Sequence, residues 1–134
     1  MVMRRIVALA TAAAGTVGFI GVAATPSYAA KAAGSRLVLT IAAGEKAKPV
    51  QRRVTLTCSP AGGTHKRAKT ACAALNAAKG DPAAITNDGS MCMMIYDPVT
   101  VTANGRWKGK PLKFTHTYGN ACELHAATGA VFAF

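Results

Sequence analysis

Met91-Cys92-Met93-Met94 sets three thioethers around a thiol with no charge between them, then runs through Ile95 and Tyr96 to Asp97-Pro98. Thioether and thiolate are the ligands that Cu(I) prefers, so a soft-metal site is one chemistry these residues could perform. Their spacing serves it poorly. In an extended segment Met91 and Met93 share a side while Met94 points away, and Cys92 would have to stay reduced. Methionine more commonly fills gaps in a core, but a run that follows Asn87-Asp88-Gly89-Ser90 reads as an exposed crossover.

A third chemistry is bait for a protease. Tight substrate-like inhibition needs a segment already held in the bound conformation, because ordering it on binding cancels much of the contact energy. Both halves of the scissile bond must also stay in place after a cut. That requires a cross-link close to the bond and an anchored strand just after it. Cys92 lies two residues before Met94, and Tyr96-Asp97-Pro98-Val99 leads directly into a β-patterned segment. The pieces stand where that mechanism needs them.

Catalytic readings find little support. Asp and Glu total 5, none paired with another at catalytic spacing. No G-x-S-x-G, H-E-x-x-H or P-loop occurs. His65, His116 and His125 are scattered and read as surface histidines. No metal or cofactor is implied, and the chain does not read as an enzyme. The net charge of +11 comes from lysines and arginines spread along the chain, without an Arg-rich helix or interleaved aromatics. A solvated basic surface is the plain account, with weak attraction to acidic polymers as its alternative. Nucleic acid is not an expected partner.

The chain has 134 residues, enough for one domain. Arg4 and Arg5, the uncharged apolar run Ile6 to Ala24, Pro26 and the small residues of Ser27-Tyr28-Ala29 form a secretory signal. Residues 1–29 are therefore expected to be removed, leaving 30–134 as a secreted domain with no membrane attachment. Four cysteines, at 58, 72, 92 and 122, contain no C-x-x-C pair. In an exported chain they read as two disulfides, of which four cysteines allow three pairings.

The elements that must position the Met91–Tyr96 loop follow from periodicity. Leu37, Leu39 and Ile41 form one face of a first strand. Val54, Leu56 and Cys58 form one face of a second, which runs from Val50. Ser59 to Gly63 reads as a turn. Thr64 is the expected cap of a helix reaching about Lys79 and closed by Gly80, with Ala68, Ala71, Cys72, Leu75 and Ala78 as its buried stripe. A strand at Val99–Thr102 meets the hairpin signal Asn104-Gly105 and returns through Trp107, Leu112, Phe114 and His116. Asn120 caps a short helix, Ala121 to Thr128, stopped by Gly129, and Val131 to Phe134 reads as a last strand. The fold class is α+β, an antiparallel sheet with helices on one side.

Several stretches together carry a resemblance: C-x-M-x-Y-D-P-V at Cys92 to Val99, Val54-Thr55-Leu56-Thr57-Cys58, Gly63-Thr64-His65, Ala71-Cys72, Gly105-x-Trp107-x-Gly109-Lys110 and the Val-Phe-Ala-Phe ending. From about Leu37 to Phe134 the chain resembles the Streptomyces subtilisin inhibitor family. The resemblance implies a sheet of about five strands with two helices, disulfides Cys58–Cys72 and Cys92–Cys122, and a homodimer packed sheet against sheet. It implies reversible, substrate-like inhibition of extracellular subtilisin-like serine proteases, with chymotrypsin-like enzymes as lesser targets. By position, Met94–Ile95 is the reactive bond with Met94 at P1. Met91, Cys92 and Met93 are then P4 to P2, and Tyr96 is P2′. Methionine is long, unbranched and uncharged, which suits a broad apolar S1 pocket and offers nothing to an acidic one. A secreted copper-binding or polyanion-binding protein is the alternative.

Overall fold

The computed structural model describes residues 34–134 and, apart from these, only the isolated Gly15, Gly18 and Gly21. The expected signal peptide therefore lies outside the described stretch. Four long strands build the sheet: β1 (Ser35–Ala43), β2 (Arg52–Cys58), β4 (Val99–Trp107) and β5 (Lys110–Tyr118). A two-residue strand, β3 (Gly62–Gly63), extends one edge. Every pairing is antiparallel, in the spatial order β3-β2-β1-β4-β5. Helices α1 (Ala68–Ala77) and α2 (Ala121–Thr128) and a 3-10 turn at Pro82–Ala84 complete the fold.

Register sorts the side chains as period two requires. Leu37 stands opposite Leu56 and Gly105, and Leu39 opposite Val54 and Ala103. Leu37, Leu39, Leu56, Val101 and Ala103 thus share one face and are buried in a single cluster with Leu75, Leu124, Val131 and Phe132. The cluster is held from α1 by Ala71, Cys72 and Leu75, all buried, as the helical spacing predicts. The opposite face carries Val38, Thr40, Thr55, Thr102 and Thr115. There the buried hydroxyls of Thr40 and Thr102 hydrogen-bond across the strand pair, and Thr100 Oγ1 lies 2.7 Å from Thr117 Oγ1.

Four sequence expectations need correction. Asn104-Gly105 is not a turn: both residues lie inside β4, and the hairpin closes at Lys108-Gly109, between Trp107 and Lys110. Gly105 is there for another reason, since a Cβ on it would stand 2.1 Å from Arg36 O. A glycine inside a strand then marks close backbone approach, not reversal. Lys108 and Gly109, with φ of 48° and 81°, supply the two positive φ angles of a type I′ turn.

Thr64 does not cap α1. Its hydroxyl accepts from Thr55 N (2.9 Å), while Thr64 N and His65 N both donate to Thr55 O. The chain from the expected turn, Gly62-Gly63 included, therefore continues along the sheet edge, and the helix begins only at Ala68. Only His65 and Lys66 then fall clear of the helix; Arg67 at the N-cap and Lys69 in the first turn still meet the positive end of its dipole.

His65 is buried rather than exposed. Its Nδ1 accepts from Arg67 N (2.9 Å), which leaves Nε2–H to donate to Val131 O (2.9 Å), and Phe134 meets its ring edge-on. The ending Val131–Phe134 is not a strand. Its amides turn back on Thr128 O and Ala130 O, and Arg52 Nη1 holds Phe134 O at 2.7 Å. Phe132 is fully buried, so this segment plugs the core instead of joining the sheet.

Candidate functional site: the Met91–Pro98 loop

Between the 3-10 turn and β4 the chain has no regular structure, yet it is tied down at both ends. Asp88 N donates to Ala126 O on α2 (2.9 Å), and the Asp88 carboxylate accepts from Ser90 N (2.7 Å). Hydrogen bonds from the Ser90 side chain and amide hold that carboxyl below its ordinary value. At the other end, Asp97 N donates to Gly119 O (2.9 Å), and Gly44 N donates to Pro98 O (2.7 Å). Between these moorings the side chains face solvent: Met91 is 98% exposed, Met93 76%, Met94 100%, Ile95 57% and Tyr96 69%. No other large hydrophobic residue among those described is comparably exposed. So contiguous an apolar display, with nothing packed on it, marks a contact surface.

Cys92 is bonded to Cys122 in α2, and Cys58 to Cys72, the pairing that the resemblance implies. No free cysteine is present among the described residues. The Cys92 thiolate that a Cu(I) site would have used is therefore committed to a bridge.

The residue that organises the loop is Asn120. It is buried, and as N-cap of α2 its Oδ1 accepts from Glu123 N (2.9 Å). The amide nitrogen is thereby turned outward, where Nδ2 donates to Met93 O (3.2 Å) and Ile95 O (2.9 Å). One side chain thus holds the carbonyls on both sides of Met94. The helix-cap reading of Asn120 was legible in the sequence; its second role was not. A residue 27 and 25 positions from the carbonyls it holds gives no local signal of which they will be.

The loop is also less extended than a continuous strand. Ile95 N donates to Met93 O (2.8 Å), a three-residue turn with Met94 at its apex. Beyond it, Tyr96 Oη donates to the Glu45 carboxylate on the β1–β2 connection. That hydrogen bond favours the protonated phenol and raises Tyr96 above its ordinary value. The tether is therefore present at neutral pH and is lost only as pH rises through the raised value.

The model of a subtilisin inhibitor-like family matches residues 33–120. The chain belongs to that family. Its members are protease inhibitors rather than enzymes, which agrees with the absence of a catalytic constellation in the sequence. Subtilisin inhibitor-like protein 3 of Streptomyces coelicolor is 47% identical over 104 residues, covering 75% of this chain and 97% of that one. Protease inhibitor SIL-V5 of Streptomyces luteoverticillatus is 47% identical over 105 residues, with coverage of 75% and 97%. Among solved structures, sermetstatin of Streptomyces caespitosus in complex with Bacillus licheniformis subtilisin superposes with a TM-score of 0.63 at 37% identity, covering 75% of this chain and 99% of that one.

In this inhibitor-like fold, Asn120 is the member of the loop scaffold that a single substitution tests most cleanly. Asn120→Asp keeps the Oδ1 cap on α2 but loses both donors and sets a carboxylate against two carbonyl oxygens. Stability should fall by about 1–3 kcal/mol, and well below the variant's melting temperature the inhibition constant against subtilisin should rise on the order of 10- to 100-fold, as for loss of hydrogen bonds to a preorganised site. An unchanged constant would mean that Asn120 serves the helix alone.

Proposed function

We propose that this protein is a secreted, reversible, substrate-like inhibitor of subtilisin-type serine proteases, with Met94–Ile95 as the reactive bond. The observation that carries the proposal is Met94 itself, held at the apex of a loop moored on both sides and fully exposed. An apolar pocket meets an unbranched apolar side chain that packs on nothing in the free inhibitor. Little is left to order on binding, which is how interfaces of ordinary area reach very tight affinity. Met91 and Met93 flank the bond on one side and Tyr96 on the other, within reach of the same cleft.

The mechanism follows from what holds the two halves. The protease serine attacks the Met94 carbonyl, and the acyl-enzyme would normally persist until water replaces the leaving amine. Here the leaving amine belongs to Ile95, whose carbonyl is held by Asn120 and whose chain is moored through Asp97 and Pro98. The acyl side is held by the Cys92–Cys122 bridge and by Asn120 to Met93 O. The amine stays at high effective concentration beside the ester and reforms the peptide bond faster than water cleaves it. Titration of subtilisin with residues 30–134 tests the reading. A stoichiometric, reversible end point is expected, with slow cleavage at Met94–Ile95 alone; rapid turnover of the chain would refute it.

Residues 1–29 act in this reading as the removable export signal. The family resemblance, together with the sheet face opposite the helical core, on which Val38 and Thr55 are half-buried and Thr115 is exposed, supports a homodimer packed through that face. Sedimentation should give twice the chain mass, falling to the monomer in Val38→Lys, which adds charge to the centre of the contact.

A further inference from the structure

We propose that Met94 is a modification site, and that its oxidation by peroxide reversibly switches inhibition off. The proposal rests on the reading of Met94 as the residue that enters the protease pocket. Its own evidence is the distribution of oxidisable groups. The chain has 5 methionines; apart from Met1 and Met3 they are Met91, Met93 and Met94, at 98%, 76% and 100% exposure. The buried core is made of leucine, valine, alanine, phenylalanine, the Cys58–Cys72 bridge and Trp107, and contains no methionine. Thioethers usually fill interiors; here every one among the described residues stands in solvent on a single loop.

The remaining soft groups are out of reach. All four cysteines are bridged, and Trp107 is 7% exposed. A mild two-electron oxidant meeting the folded protein therefore finds its targets on the loop and nowhere in the scaffold.

The step balances without a further reagent. A lone pair on the Met94 sulfur attacks one oxygen of hydrogen peroxide, the O–O bond breaks, an S–O bond forms, and the other oxygen leaves as water. Sulfur is oxidised by two electrons and the peroxide is reduced by two. The product keeps the length of methionine but carries a strong hydrogen-bond acceptor on a new stereocentre. An apolar pocket has no donor for that oxygen, and a hydrophobic site penalises an added polar group on the order of 100-fold. Met91 and Met93, at P4 and P2, meet the cleft beside the pocket rather than within it, so their sulfoxides cost less than that of Met94. The sulfoxide is reduced back by methionine sulfoxide reductases, one for each epimer, with a dithiol donor supplying the two electrons and two protons and being oxidised to its disulfide while the oxygen leaves as water. The pocket also shields Met94 once bound, so the switch acts on free inhibitor and spares the complex.

The test uses residues 30–134 exposed to hydrogen peroxide until peptide mapping shows oxygen added at Met94. The inhibition constant against subtilisin is measured before and after. It should rise by about 100-fold for the native sequence and recover when both reductases are supplied together with their dithiol donor. The ratio of oxidised to unoxidised constants in Met94→Leu, in which only Met91 and Met93 oxidise, should rise far less than that of the native sequence, whatever the variant's starting constant. Preformed complex should resist oxygen addition at Met94. An unchanged constant with Met94 fully oxidised would overturn the proposal, as would an equal loss in Met94→Leu. Failure of the unoxidised protein to inhibit would instead overturn the underlying assignment, and the two results are distinct.

Discussion

Replacing Met94 by lysine is expected to move inhibition from subtilisin to trypsin. The side chain touches nothing in the free protein, being fully exposed, so the substitution leaves the fold and the loop moorings as they are. What changes is the match to the pocket. Lysine presents an ammonium where an acidic pocket offers a carboxylate, and a site built to bind a specific polar group separates ligands that have it from those that lack it by about 10⁴-fold or more. The trypsin constant should therefore fall by at least about 10³-fold. Toward subtilisin the loss is smaller, about 10- to 100-fold, because the long aliphatic stem still covers apolar surface while its charged end seeks water. Constants against both proteases, measured on the same preparation, decide the matter. A variant that leaves trypsin untouched and still blocks subtilisin would place P1 elsewhere.

The contrast between Met94 and Asn120 shows what the sequence could reveal. The exposure of Met94 was legible because its signals are local: an uncharged run between Ser90 and Asp97 that follows a turn-rich stretch, and a strand just after. The core was legible for the same reason. Leu37-x-Leu39 and Val54-x-Leu56 alternate, and Ala71, Cys72 and Leu75 recur at helical spacing. The misread features depend on what approaches from far along the chain. Asn104-Gly105 has the composition of a turn, and only the nearness of Arg36 O to Gly105 shows that a backbone, not a reversal, required the glycine. Thr64 has the side chain of a cap, but Thr55 claimed it first. Val-Phe-Ala-Phe alternates like a strand, but its amides are spent on turns while Phe132 fills the core. Asn120 belongs with these. Its carbonyl partners, Met93 and Ile95, are placed beside it by a bridge whose pairing the sequence alone leaves among three options.

Conversion of Cys92 and Cys122 together to alanine is expected to turn the inhibitor into a substrate. The two disulfides do different work, although each stabilises the fold by closing a loop. In the chain-entropy model the Cys58–Cys72 bridge contributes about 3 kcal/mol and the longer Cys92–Cys122 loop about 3.5 kcal/mol. Removing either should therefore lower the melting temperature by a comparable amount, on the order of 10–20 °C for a domain this small. Their consequences for inhibition should diverge. Cys58–Cys72 ties β2 to α1 at the buried end of the core, away from the loop. Cys92–Cys122 fixes the chain two residues before Met94, at the proposed reactive bond, to the helix whose cap, Asn120, grips both flanking carbonyls. Without it, the acyl side of a cut bond is restrained only by the 3.2 Å contact to Met93 O and the more distant Asp88 mooring. The ends separate, effective concentration falls, and water competes for the ester. Incubation with catalytic subtilisin, followed by mass spectrometry, should show cleavage at Met94–Ile95 faster by about 100-fold or more. The Cys58→Ala/Cys72→Ala protein, assayed well below its own melting temperature, should remain an inhibitor. Equal cleavage of the two variants would mean that global stability, not the local clamp, keeps the bond closed.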